Sequence, residues 1–353
     1  MINVIITDKN NDLIILMQNL LKSVPDIKVL SQSTSGNQLI SMTAKLKPDV
    51  VLLGIDLTDM NSADVTKHIM AFSPVPILII GYNKGCKNNP VAFNAICNGA
   101  IDVLEILEEK KGEISLPLKH KVLEAIRISA KIKVIKRVGD IKKSTLTNKK
   151  EKNLKKNISS KIPFMIGIGS STGGPVVLFN IINRLPDKVD FAVLIVQHIV
   201  PSFTKGLVDW LRDETKKNVV LAENGETIKQ NTFYIAPGNK HMTVSKKGCI
   251  TLDNNDLYKG HRPSASVLFT SLANNMDRQS IGVILTGMGR DGLDGLHEMH
   301  KKKLPIIAQN EDSSAVFGMP KACIDANLAT SVSDDDLIAK EMMYYYSKFD
   351  RRQ

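Results

Sequence analysis

Residues 166–175 read IGIGSSTGGP. They continue an apolar run that begins at Phe164 and breaks in Gly169-Ser170-Ser171-Thr172-Gly173, a G-x-S-x-G turn ahead of a helical pattern. Glycines on both sides of Ser171 permit a sharp strand-to-helix bend. The Ser171 hydroxyl is then presented at the carboxyl edge of a sheet, near the positive end of a helix, where a developing oxyanion is favoured. Gly167-x-Gly169-x-x-x-Gly173 also resembles a dinucleotide-binding turn, whose glycines make room for a pyrophosphate, so two readings stand open at this turn.

Outward from it the same grammar repeats. FMIGIG, AVLIVQ, VVLAE, TFYIAP, IGVILTG and PIIAQ are short apolar runs separated by helical patterns, which predicts a second-half sheet that is parallel and doubly wound. An antiparallel excursion is expected at MTVSKKGCITLD, with Lys247-Gly248 at the hairpin turn. The chain closes on a helix, DDDLIAKEMMYYYSKFDRR, acidic at its start and basic at its end. Residues 1–130 show a (βα)5 rhythm: INVIIT, DLIILMQNLLKSV, VVLLGI, a helix around Ala63–Phe72, PILIIGY, DVLEI and a last helix, LKHKVLEAIRISAKIKVIKRV. Five such units predict a parallel sheet in the flavodoxin-like order.

Between Lys131 and Lys161 stand twelve Lys or Arg and two acidic residues, a net of +10 that accounts for nearly all of the chain's +11. KKSTLTNKKEKNLKKNISSK is too polar to offset the entropy of ordering and carries no aromatic residue, so it reads first as a solvated linker, with an electrostatic tether to nucleic acid or anionic lipid as the alternative. The fold class is therefore α/β: domains at 1–130 and 162–353 joined by a basic flexible linker at 131–161. Two domains also suit 353 residues, which exceed what one core ordinarily fills. No apolar run approaches a membrane span and the N-terminus lacks a basic start, so a cytoplasmic protein is expected. The four cysteines, Cys86, Cys97, Cys249 and Cys323, form no CxxC pair, which speaks against a zinc knuckle or a disulfide framework.

His198 ends the strand after the Ser171 turn, in LIVQHIVPSFT, and Asp291 lies just past another strand, in ILTGMGRDGLDG. If these strands are neighbours, three strand ends deliver serine, histidine and aspartate to one rim. A histidine after a strand is ordinarily structural, but beside a nucleophile turn it reads as a base. Serine needs a base to take its proton, and the base needs a carboxylate to set its tautomer. The order Ser, His, Asp differs from that of the α/β-hydrolases. No acidic residue ends AVLIVQH, where a ribose partner is expected, which weakens the dinucleotide reading. His297 and His300, three apart on the following helix, have no suitably spaced third ligand and read as a solvated face.

The segments GSSTGGP, QHIVPSFT, FYIAPGNKHM, HRPSASVLF, LTGMGRDG and AQNEDSSAVFGMP together resemble the CheB-type protein-glutamate methylesterases across residues 162–327. The resemblance implies a Rossmann-like methylesterase domain with Ser171 as nucleophile, His198 as general base, Asp291 as its orienting carboxylate and the Met288 backbone N–H in an oxyanion hole. Thr172, Gly173, Gly287 and Gly289 would form the surrounding loops, and no cofactor or metal is called for. The implied substrate is a glutamyl γ-methyl ester on a methyl-accepting chemotaxis receptor, with glutamine deamidation in many relatives. A chemotaxis histidine kinase or adaptor is a further candidate partner; nucleic acid and membrane insertion are not expected. Tyr234, His241, His261 and Arg262 fall in motifs around the implied active-site mouth. Ser266 stands where the family usually has aspartate, and Ile199 where methionine is common.

Residues 1–130 resemble a response-regulator receiver domain, which in this family covers the catalytic face until it is phosphorylated. The site is degraded here. Asp8 and Lys9 fall at the Mg²⁺-binding acidic pair, Gly54 at the phosphoacceptor, Gly81 at the hydroxyl and Ile106 at the lysine, so aspartyl phosphorylation is not expected. Asp56, two residues on and on the same strand face, is the one substitute, and a poor one. A receptor-associated scaffold with little turnover is the alternative function, and a nicotinamide oxidoreductase a third.

Overall fold

The structure, a computed structural model, describes residues 1–82, 89–106, 108–110, 113–132, 162–276 and 279–350. The basic linker lies outside the described residues from 133 to 161, as does Cys86.

The N-terminal elements are β1 (Ile2–Thr7), α1 (Asn11–Lys22), β2 (Ile27–Ser33), α2 (Gly36–Leu46), β3 (Val50–Gly54), α3 (Ser62–Phe72), β4 (Ile77–Tyr82), α4 (Pro90–Cys97) and β5 (Asp102–Ile106). A short antiparallel pair, β6 (Glu108–Lys110) with β7 (Glu113–Ile114), precedes α5 (Leu116–Ser129). The five main strands pair in parallel in the order β2-β1-β3-β4-β5. Local chemistry sets the helix starts: Asn10, Ser35, Asn61, Asn89 and Ser115 each accept a backbone N–H of the first turn through the side chain. Helix α1 buries Leu13, Ile14, Leu16, Met17, Leu20 and Leu21, a stripe at helical spacing that covers one face of the sheet. Two expectations change. The last helix stops at Ser129, short of the run that reaches Val138, of which residues 133–138 lie outside the described set. Asp56 is not on β3, which ends at Gly54; it sits beyond the strand in an isolated bridge to Asn61.

The second sheet is built from β8 (Phe164–Ser170), α6 (Gly174–Arg184), β9 (Phe191–Gln197), α7 (Thr204–Thr215), β10 (Val219–Leu221), β11 (Thr232–Ile235), the hairpin β12 (His241–Val244) and β13 (Ile250–Asp253), α8 (Ala265–Asn275), β14 (Ser280–Ile284), α9 (Leu293–Lys301), β15 (Ile306–Gln309), α10 (Met319–Asp325), β16 (Ser331–Ser333) and α11 (Asp335–Asp350). Its seven strands run parallel in the order β10-β11-β9-β8-β14-β15-β16. The chain moves outward from β8 through β9 and then returns to β14 on its other side. The carboxyl ends of β9, β8 and β14 thus flank a topological switch point, where open α/β sheets place their ligands. Every residue of β8, β9 and β14 is buried, as strands covered by helices on both faces require.

The two sheets share a core. The rings of Phe93 on α4 and Phe203, just before α7, lie 5.5 Å apart, and a Cβ on Gly206 would come within 3.3 Å of Phe93. No helix among the described residues is long and apolar enough to cross a membrane.

Candidate active site

Parallel register carries the three chemical residues to one edge. Gly169 on β8 pairs with Val196 on β9 and with Ile284 on β14, so Ser171, His198 and the 285–291 loop emerge side by side. Backbone bonds continue the alignment past the strand ends: His198 N–H donates to Ser170 O at 2.9 Å and Ser171 N–H to Thr286 O at 3.0 Å. Gly173 closes the Ser171 turn at φ +77°, a left-handed conformation that glycine adopts without strain. The space beside three glycines of this region, two on β8 and one at the start of α6, is filled. A Cβ on Gly167 would meet Leu272 at 2.6 Å, one on Gly169 would meet Ala265 at 2.7 Å, and one on Gly174 would meet the Gln197 amide oxygen at 2.1 Å. Helix α8 and Gln197 fill the space beside these glycines, so their missing side chains serve close packing within the fold.

His198 Nε2 lies 2.8 Å from Asp291 Oδ2, and both side chains are largely withdrawn from solvent. Asp291 also accepts from Ser264 Oγ at 2.7 Å, Ala265 N at 2.7 Å, Ser266 N at 3.2 Å and its neighbour Gly292 N at 2.8 Å. Burial alone would raise this carboxyl, but the His198 contact and the donors at the α8 N-terminus overcome it and hold it well below the usual carboxylate range. Facing the ionised Asp291, Nε2 carries the ring proton, which leaves the lone pair on Nδ1.

Gly287 packs directly on Ser171, since a Cβ there would come within 2.7 Å of Ser171 Cβ. Its N–H donates to Val316 O at 2.9 Å, and its carbonyl accepts from Gly318 and Met319. Thr286 Oγ1 donates to Thr172 O at 3.0 Å and accepts from Val316 N at 2.9 Å, tying the two loops together. Met288 is 45% exposed between Gly287 and Gly289, the latter at φ +85°. Ser171, Thr172, Gly173, His198, Gly287, Met288, Gly289 and Asp291 therefore share one rim.

Several supporting residues carry no chemical motif. Gln197 accepts from Ser170 Oγ at 2.6 Å and donates to the carbonyls of Ser171 and His198 at 2.8 and 2.9 Å, binding the serine turn to the histidine segment. Ser264 caps α8 while donating to Asp291, and its only sequence signal is a serine before an apolar run. Ser266 Oγ accepts the Gly292 N–H at 2.8 Å, so this side chain supports the Asp291 loop. Tyr234 and His241 are structural: the phenol accepts from Lys229 N at 3.0 Å and the buried imidazole contacts Asp256 O at 3.1 Å. Arg262 donates to Asn254 O and Asn255 O at 3.0 and 2.9 Å. His297 and His300 are exposed, and neither belongs to a cluster of metal-ligating side chains among the described residues.

In the N-terminal sheet Asp8 is buried beside Gly54 and accepts from Asn10 N at 2.6 Å. A Cβ at position 54 would lie 1.9 Å from Asp8 Oδ2, so this carboxylate fills the place of a larger residue. Burial pushes Asp8 up to about 6. Lys9 Nζ pairs with Asp56 Oδ2 at 2.9 Å. The residues present do not fit the Mg²⁺ that a receiver holds, since an ammonium stands among the oxygen donors and occupies the second carboxylate.

Comparison with known proteins agrees with this geometry. The CheB methylesterase family model matches residues 166–342. A protein-glutamate methylesterase/protein-glutamine glutaminase of Bacillus licheniformis is 33% identical over 360 residues, covering 99% of both chains. The Pyrococcus abyssi protein of the same name is 32% identical over 340 residues, covering 94% of this chain and 90% of that one. The crystal structure of the Thermotoga maritima CheB methylesterase catalytic domain is 34% identical and superimposes with a TM-score of 0.50, over 52% of this chain and 98% of that one. With relatives matched along almost its whole length and the family model spanning the strands that build the rim, the chain belongs to the CheB methylesterase family, the protein-glutamate methylesterases/protein-glutamine glutaminases.

Proposed function

We propose that the chain is a cytoplasmic enzyme of chemotactic adaptation that hydrolyses glutamyl γ-methyl esters, and deamidates glutamines, on methyl-accepting chemotaxis receptors. The observation that carries the reading is the 2.8 Å contact between His198 Nε2 and an Asp291 carboxylate held ionised, on the rim that also bears Ser171. Ser171 Oγ attacks the ester carbonyl carbon while His198 Nδ1 takes the hydroxyl proton, and Asp291 stabilises the imidazolium so formed. The carbonyl oxygen, now anionic, faces the Met288 N–H in the glycine-flanked turn. Collapse expels the methoxy group, which takes the proton from His198 and leaves as methanol. Water then gives a proton to Nδ1 and attacks the acyl-enzyme; as the bond to Ser171 Oγ breaks, His198 returns that proton to Oγ, releasing glutamate and regenerating the Ser171 hydroxyl. With a glutamine substrate the first leaving group is ammonia.

Methanol release from methylated receptor, measured on Ser171→Ala with its fold intact, tests the assignment. Loss of turnover by at least about three orders of magnitude is expected; release at an unchanged rate refutes it.

The N-terminal domain, in the same reading, does not work as a phosphorylation switch. Gly54 supplies no acceptor, Asp8 fills the space beside it, and Lys9 neutralises Asp56. Incubation with acetyl phosphate and Mg²⁺ is expected to leave the protein unmodified. Recovery of a hydroxylamine-labile phosphoprotein would overturn this part. Control of the enzyme then rests on the packing of α4 against the 201–207 segment, or on a partner that alters it.

A further inference from the structure

We propose that His261 is a positioning residue for the hydrolysis, holding the plane of the His198 ring so that Nδ1 stays directed at Ser171. The proposal deepens the functional reading and rests on His198 as the base. The two imidazoles lie face to face, with centroids 4.4 Å apart and planes 7° from parallel. One hydrogen bond, from Nε2 to Asp291, fixes a point on the His198 ring but leaves it able to rock about that axis. A second ring stacked on its face removes the rocking, and Nδ1, across the ring from Nε2, is where such motion would be largest.

His261 is itself braced. Its N–H and carbonyl exchange bonds with Tyr258 at 3.1 and 3.0 Å. The Tyr258 hydroxyl donates to Asp294 Oδ2 at 2.8 Å, and Lys259 Nζ pairs with the same oxygen at 2.6 Å. Asp294 lies in the first turn of α9, three residues after Asp291. Arg262 clamps the strap on its other side, and Ser264 two residues later donates to Asp291. One segment, residues 258–266, thus touches both partners of the serine: it stacks on the base and binds the carboxylate. Burial, and the neighbouring His198, lower the proton affinity of His261. A neutral ring in that position can stack on His198 without opposing the charge that His198 acquires during the reaction.

The test compares His261→Phe, which keeps a flat ring without nitrogens, with His261→Leu, which keeps bulk without the plane. Steady-state methanol release by the full chain gives kcat and KM separately, with thermal unfolding as the check on folding. The leucine variant is expected to lose about tenfold in kcat with KM within about twofold, and the phenylalanine variant to stay within about threefold of the parent in both. Equal losses in the two variants would mean that a nitrogen of His261 is used, and the proposal falls. An unchanged kcat in the leucine variant also overturns it. If the leucine variant does not fold, the phenylalanine variant decides alone, and a tenfold loss there counts against the proposal. Ser171→Ala assayed in parallel separates the two levels: an active alanine variant sinks the functional reading, whereas a dead one with silent His261 variants sinks only this inference.

Discussion

Asp291 and Asp8 are both buried carboxylates, and their surroundings push them in opposite directions. Asp291 gathers a ring N–H, a hydroxyl and backbone N–H groups from a helix start, so it stays ionised and fixes the His198 tautomer. In Asp291→Asn the amide would donate to Nε2 and force the ring proton onto Nδ1, where it cannot serve as a base. A fall in kcat of roughly 10³–10⁴ is expected, and a variant within tenfold of the parent in methanol release would count against the assignment. Asp8 accepts from the Asn10 N–H and meets little solvent, and burial raises it from 3.8 to about 6. Between those values the folded chain holds a proton that the unfolded chain has released. The associated stability is complete below about pH 4 and is lost as pH rises through about 6. Asp8→Asn keeps an acceptor for Asn10 and should stabilise the N-terminal domain by about 1–2 kcal/mol at pH 7.5 and by little at pH 4. Urea unfolding of the full chain at the two pH values reads the difference; equal gains at both would refute the burial argument.

Helix α8 connects packing to chemistry. Its first turn supplies the Ala265 and Ser266 N–H groups to Asp291, and Ala265 also sits on the strand at Gly169. Gly169→Ala would place a Cβ 2.7 Å from Ala265 Cβ, an atom with no rotamer by which to move away. The helix must shift, taking its donors with it. We expect a loss of about 1–3 kcal/mol in stability together with a lower kcat, whereas stability loss without a kinetic effect would show that the helix start tolerates the displacement. The elements on either side behave alike: Gln197 locks β8 to β9, and Thr286 locks the Ser171 turn to the loop after β14. Among such ties the catalytic rim is held by hydrogen bonds from outside the set of chemical residues.

At the scale of the molecule, α4 meets the start of α7 through Phe93 and Phe203, and Ile199 and Val200 beside His198 pack on the same core. A chain of residues 160–353 should turn over methylated receptor severalfold faster than the full chain if the N-terminal domain restrains the site; equal rates would assign that domain another task. The alternating apolar strands and helical stripes were enough to specify two parallel sheets, because strands buried on both faces leave long apolar runs. That Ser171, His198 and Asp291 lie on one edge was equally legible, since a parallel sheet sets the ends of its neighbouring strands β9, β8 and β14 side by side. Asp56 was misplaced onto the strand, because a bridge to Asn61 past the end of β3 has no periodic signal. β16 reads SVS, one apolar residue between two serines, and so shows no apolar run, unlike the equally short β10. The sequence by itself determined the two parallel sheets and the strand ends that carry Ser171, His198 and Asp291, because those depend on local pattern. Only the tertiary structure decided which ring nitrogen of His198 meets Asp291, that His261 lies on its face, and that Asp8 fills the space beside Gly54. Each of these is a contact between segments far apart in the chain, made by close packing that no local pattern encodes.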